Sequence, residues 1–184
     1  MDEGLAGEGE LLFGGRCWWE RAHIVVLGPC KSSAPILWEE AIWSASGGRL
    51  VVYADGSRDT EGRVSGGWFA DGNGAGSVAV GNVATIRDGE VAGIHPALQV
   101  ALDVDILVLT DSRASLLAIR RSACSGKGRA SDLVEVVNEV CRHSQVGLST
   151  QFGWVKAHVG IEGSKHTDRI AKAGCKESLL PKVT

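Results

Sequence analysis

Between Leu50 and Lys156 the chain alternates five short strand-like runs with longer helix-like ones, and that order leaves few folds open. Leu50 to Ala54 is apolar enough for a central strand. Arg63 to Ala70 and Ser77 to Thr85 read as two more, separated by the glycine-rich turn DGNGAG. Glu90 to Leu102 spaces Val91, Ile94, Leu98 and Ala101 on one helical face. Asp105 to Thr110 is a buried strand, and Ser112 to Ser122 and Ser131 to His143 are helical. Thr150 to Lys156 is the fifth strand, and Ser164 to Cys175 a last helix with Ser164 as its predicted N-cap. The predicted fold is α/β: a five-stranded mixed sheet, three antiparallel strands followed by parallel ones, with flanking helices. In such sheets active sites lie beyond strand ends, next to helix N-termini.

Four acids fall at those places: Asp55 in VVYADGS, Glu90 in GEVAGIHPAL, Asp111 in ILVLTDSRA and Asp168 in WVKAHVGIEGSKHTDRIAK. Distant carboxylates gathered at one sheet edge repel one another unless cations neutralise them, so the pattern predicts a divalent-metal site.

The chain has 184 residues, enough for one core of ordinary size, and at 44% hydrophobic and 22% charged it reads as globular. We expect an N-terminal extension over 1–47, one domain over 48–176 and a tail over 177–184. The extension holds Trp18, Trp19, Trp38 and Trp43; they cover the domain or are remnants of a longer parent chain. Within it HIVVLG reads as a short strand and Ser33 to Trp43 as a short helix with Pro35 in its first turn. Cys17, Cys30, Cys124, Cys141 and Cys175 are odd in number and form no Cys-x-x-Cys pair, which argues against a zinc ribbon and for reduced thiols. The N-terminus lacks a signal-peptide pattern and no apolar run reaches membrane-spanning length, so an intracellular, nuclear or cytoplasmic location with no membrane partner is expected. The net charge of -3 carries no nucleic-acid signature. From Ser112 to Ser131 there are five basic residues and no acid, which alone reads as a solvated helix end and loop.

From about Val51 to Lys172 these motifs resemble a type 1 ribonuclease H domain, similar to those attached to the reverse transcriptases of non-LTR retrotransposons. YADGS resembles the family's first-strand motif, GEVAGIHPAL its helix beginning Ala-Glu-Leu, and LTDSRA its Thr-Asp-Ser motif. WVKAHVGIEGSKHTD resembles its closing loop and helix, with His158 ten positions before Asp168 as the family pattern requires. The resemblance implies an endonuclease that hydrolyses the RNA strand of RNA–DNA hybrids with two Mg²⁺ ions, for which Mn²⁺ substitutes. It implies that Asp55 bridges both ions, that Glu90 and Asp111 hold the ion on the leaving-group side, and that Asp168 holds the ion that activates water. It gives His158 proton shuttling or help with product release. Gly56, Ser57, Ser112 and Arg113 are candidates for contacts to the RNA strand. Arg120, Arg121, Lys127 and Arg129 are candidates for the phosphates of the DNA strand. The chain is expected to be monomeric, with a reverse-transcriptase domain as its neighbour in a parent polyprotein.

Two departures from the family pattern bear on activity. Pro96 and Gly93 lie inside the helix that carries Glu90, and an interior proline costs roughly 3 kcal/mol and kinks a helix. Ser164 and Lys165 replace the family's Asn-Glu dipeptide, bringing a cation toward the acids. A catalytically impaired module that holds hybrids without cutting is therefore the competing expectation. An exonuclease of the Asp-x-Glu type ranks lower, because the second acid it needs is Ser57 here.

Overall fold

The computed structural model describes residues 24–26, 34–100, 103–125 and 131–177. In chain order they form β1 (Ile24–Val26), α1 (Pro35–Ser46), β2 (Leu50–Arg58), β3 (Val64–Ala70), β4 (Gly74–Gly81), α2 (Ile86–Gln99), β5 (Ile106–Thr110), α3 (Arg113–Ser125), α4 (Ser131–Gln145), β6 (Thr150–Trp154) and α5 (Glu162–Glu177). The sheet order is β1-β6-β5-β2-β3-β4. β2, β3 and β4 pair antiparallel, while β5 pairs parallel with both β2 and β6. This is the expected five-stranded ribonuclease H-like mixed sheet, extended by a sixth short strand: β1 pairs parallel with β6 at the far edge.

β5 shows why the sheet is buried on both faces. All five of its residues are buried, and alternate side chains enter different cores. Ile106 and Val108 join Val52, Ala54 and Phe152 under Ile94 and Leu98 of α2, Leu116 and Ile119 of α3, and Val136 and Val140 of α4. Leu107 and Leu109 join Val155, Val159 and Ile161 under Trp38 and Ile42 of α1. Pro35 stands at the start of α1, where its missing N–H costs nothing. Trp38 is wholly buried, so at least one tryptophan before Leu50 covers the sheet.

Several predicted boundaries are corrected. The third strand was expected from Ser77 and starts at Gly74, because Trp68 of β3 lies across its first residues. A Cβ on Gly76 would come 2.9 Å from Trp68 Nε1, so these glycines serve the strand rather than the turn. The helix expected from Glu90 starts a turn earlier, at Ile86. Thr85 caps it, and the Thr85 and Asp88 side chains each accept the other's backbone N–H. The last helix starts at Glu162, and Ser164 is inside it; Ile161 supplies the carbonyl that accepts from Lys165 N.

Pro96 sits within α2 without breaking it. A proline disturbs the carbonyl four residues back, here Ala92, so the turn bearing Glu90 lies upstream of the disturbance. Gly93 is a contact point rather than a weakness: a Cβ there would meet the Gly67 carbonyl at 2.6 Å. Gly89, one turn earlier, faces the Ser65 carbonyl at 2.7 Å, and a Cβ on Gly66 would land on the Gly89 carbonyl. α2 thus lies on β3 backbone to backbone. On the opposite face of β3, Gly67 admits α5, with Ala171 N 2.7 Å and Thr167 O 2.9 Å from its missing Cβ.

Candidate active site

The parallel register of β2 and β5 places the first two acids. Leu50 pairs with Ile106 and Tyr53 with Leu109, a constant offset of 56 residues (106 − 50 = 109 − 53 = 56). The same offset sets Asp55 beside Asp111, just past the end of β5. Glu90 comes down from α2 because Gly56 lets it: a Cβ on Gly56 would stand 2.6 Å from Glu90 N and from Ile86 O. The result is a cluster in which ligand oxygens of Asp55, Glu90 and Asp111 all lie within 4.8 Å of one another.

Asp168 is on the second turn of α5 and lines the same open cleft as Asp55, Asp111, His158 and Lys165, a space of about 80 Å³. Its carboxylate is 2.7 Å from Lys172 Nζ, one turn further along the helix. His158 is exposed at the mouth, in the loop between β6 and α5, with a left-handed φ of 56°. Lys165 is turned to Glu162, 3.0 Å away. Among the described residues no lysine or arginine forms an ion pair with Asp55, Glu90 or Asp111.

Burial and crowding of like charges shape the electrostatics of the three carboxyls. Burial, then repulsion from Asp111, push the Asp55 carboxyl up to about 7; Asp168 and Glu90 add to the rise, and the Gly56 N–H donated to Oδ1 at 2.8 Å opposes it. Burial raises Glu90, against the Ser112 and Ser115 hydroxyls, with Asp111 adding to the rise and Arg87 opposing it. Burial also raises Asp111, opposed by His158 and its own backbone N–H, and reinforced by Asp168. The donors are all carboxylate oxygens, a set suited to hard divalent cations such as Mg²⁺, Mn²⁺ or Ca²⁺. The cluster therefore fits a divalent ion.

The remaining predicted residues divide. Ser112 caps α3, its hydroxyl accepting from Ser115 N at 3.2 Å, and stands beside Glu90. Gly56 acts by its lack of a side chain. Ser57 is half-buried on β2, its carbonyl 3.4 Å from Cys175 Sγ. The Arg113 guanidinium carbon stands over the Trp154 ring, 4.0 Å from its centroid. Arg120 and Arg121 are exposed two turns further along α3, and Arg120 follows Arg113 by seven residues, on the same helix face about 10 Å away. Lys127 and Arg129 lie outside the described residues.

Sequence reasoning missed three side chains here. Ser115, fully buried, donates its hydroxyl to Glu90 Oε2 at 2.6 Å. Its signal was the spacing of three from Ser112, which puts both hydroxyls on one face of the helix. Trp154 Nε1 donates to the Asp111 carbonyl at 2.8 Å, pinning the end of β5 to β6. Lys172, the partner of Asp168, follows it by four, the spacing of an intrahelical ion pair.

A search of the curated proteins finds no match to the chain. A sequence model of the RNase H family, whose members are divalent-metal-dependent nucleases acting on RNA–DNA hybrids, matches residues 47–176. That stretch contains all four acids, His158 and every strand from β2 to β6, and it spans more than two thirds of the sequence. The chain belongs to the RNase H family.

Proposed function

We propose that this chain is an endonuclease that hydrolyses the RNA strand of RNA–DNA hybrids, using two Mg²⁺ ions held by Asp55, Glu90, Asp111 and Asp168. The observation that carries this reading is the convergence of Asp55, Glu90 and Asp111 within 4.8 Å, with no lysine or arginine among the described residues in an ion pair with them. Bound divalent ions supply a neutralised phosphate and an acidified water, and Mn²⁺ serves in place of Mg²⁺. Asp55 takes the central position, since Asp111, Asp168 and Glu90 all act on its carboxyl. Glu90 and Asp111 stand on the leaving-group side and Asp168 on the side of the attacking water. His158, exposed beside Asp111 and Asp168, carries a proton between cleft and solvent. Gly56, Ser57 and Ser112 flank the acids where the RNA 2′-hydroxyls pass. Arg113 on Trp154 meets the hybrid at the cleft, and Arg120, Arg121, Lys127 and Arg129 hold the phosphates of the DNA strand.

Lys165 favours cutting over mere binding, because its charge is spent on Glu162. The ion pair of Lys172 with Asp168 favours the second reading, a module that holds hybrids without cleaving them. We further propose that the chain works beside a reverse transcriptase in a retrotransposon polyprotein, as a monomer in the nucleus or cytoplasm.

Incubating purified protein with an end-labelled hybrid, with Mg²⁺ and with chelator, tests the reading. Cleavage of the RNA strand only when metal is present, reduced at least about a thousandfold in Asp111→Asn, is the expected result. Hybrid binding with no metal-dependent cleavage would establish the second reading instead.

A further inference from the structure

Glu90 does not face the cluster with two equivalent oxygens. Ser115 is wholly buried, and its hydroxyl stands 2.6 Å from Glu90 Oε2, a charge-assisted hydrogen bond at the short end of its range. A serine hydroxyl has one proton, and Glu90 as a carboxylate only accepts, so that proton is donated to Oε2. Any bond across the 2.9 Å between Ser112 Oγ and Ser115 Oγ is then donated by Ser112. The backbone of Ser115 is held too, its N–H being donated to Ser112 Oγ at 3.2 Å, and the Ser112 N–H is donated to Thr110 Oγ1 at 3.1 Å. A capped helix start therefore grips one oxygen of Glu90 with a buried hydroxyl, at a cluster where a ligand oxygen of Glu90 lies within 4.8 Å of those of Asp55 and Asp111.

The two abundant hard cations ask different things of a carboxylate. Mg²⁺ demands a near-octahedral shell at short distances and takes one oxygen from each carboxylate, whereas Ca²⁺ accepts six to eight oxygens and readily takes both oxygens of one group. We infer that Ser115 is a positioning residue that makes the cluster select Mg²⁺ over Ca²⁺, by keeping Glu90 Oε2 in a hydrogen bond so that Glu90 ligates through a single oxygen. This rests on the proposed metal site and adds a preference among ions to it. Ser115 touches neither the cleft nor the reacting atoms and acts only through Glu90.

Calorimetric addition of MgCl₂ and, separately, CaCl₂ to wild type, Ser115→Ala, Ser115→Cys and Ser115→Thr tests the inference without any cleavage assay. Unfolding temperatures in metal-free buffer check that each variant is folded. Alanine and the weakly donating cysteine are expected to weaken Mg²⁺ binding about tenfold, the usual effect of removing a ligand's outer partner, and to leave Ca²⁺ binding unchanged or tighter. Threonine, which keeps the hydroxyl, is expected to hold the wild-type Mg²⁺/Ca²⁺ ratio. An unchanged ratio in the folded alanine or cysteine variant, or an equal loss for both ions, overturns the role of Ser115 while leaving the metal site standing. Wild-type protein that binds neither ion overturns the metal site and this inference together.

Discussion

Asp55 bears the largest cost in the cluster, and the cost depends on pH. Its ordinary value is 3.8 and its folded value about 7, so between those values the folded chain keeps a proton that the unfolded chain has released. The stabilisation from that proton is complete below about pH 4 and is lost as pH rises through about 7. Metal-free protein should therefore unfold at a lower temperature at pH 8 than at pH 5. Asp55→Asn, which removes the charge but keeps the shape, should be more stable than wild type by on the order of 2–4 kcal/mol at pH 8 without metal, with the gap closing near pH 4. Thermal melts of both proteins across that range in chelator decide it; equal pH dependence would mean that Asp55 is not the strained group. Added divalent ion should restore the wild type by mass action. At this scale the sequence was most legible where chemistry demands a residue type: the four acids and His158 stand out by motif. It named no partner for Ser115 or Trp154, whose roles come from residues 25 and 43 positions away.

The helix that delivers Glu90 is placed by what it lacks. α2 meets β3 at Gly66, Gly89 and Gly93, where any Cβ would strike backbone. Propensity alone marks Gly93 as a weak point in a helix already burdened by Pro96, yet the tertiary contact that the missing side chain permits outweighs it. Gly93→Ala adds a methyl 2.6 Å from the Gly67 carbonyl, and neither backbone can yield cheaply. We expect a loss of about 1–3 kcal/mol in urea unfolding, although alanine is the better helix former, together with weaker divalent-ion binding as Glu90 is lifted away. A neutral or stabilising outcome would show that α2 can slide without consequence. Element existence and order were readable because apolar runs and helical spacing are local signals. Boundaries were not, since the starts of β4 and α2 depend on Trp68 lying over Gly76 and on Thr85 pairing with Asp88.

Across the whole molecule, a net charge of -3 hides two opposed regions: a carboxylate cleft, and an arginine row running from Arg113 to Arg120 and Arg121 along α3. On the proposed function a hybrid spans both, with metal-neutralised acids at the cut strand and guanidiniums at the other. Replacing Arg120 and Arg121 by alanine should weaken hybrid binding and make its dependence on log salt shallower by roughly two, while cleavage at saturating hybrid persists. Fluorescence titrations at several salt concentrations measure the slope, and an unchanged slope would remove these residues from the interface. The sheet's central order was legible because parallel and antiparallel connections follow from what lies between strands. The pairing of β1 with β6 was not, because a three-residue strand has no pattern of its own.

The family match begins at residue 47, yet Trp38 and Ile42 of α1 close the face formed by Leu107, Leu109, Val155 and Ile161. The stretch that can be recognised and the stretch that shields its own oil from water are therefore not the same. A lineage that shuffled this domain between genes at its motif borders would have had to carry a dozen unmatched residues along, or evolve another lid for the bare underside of the sheet.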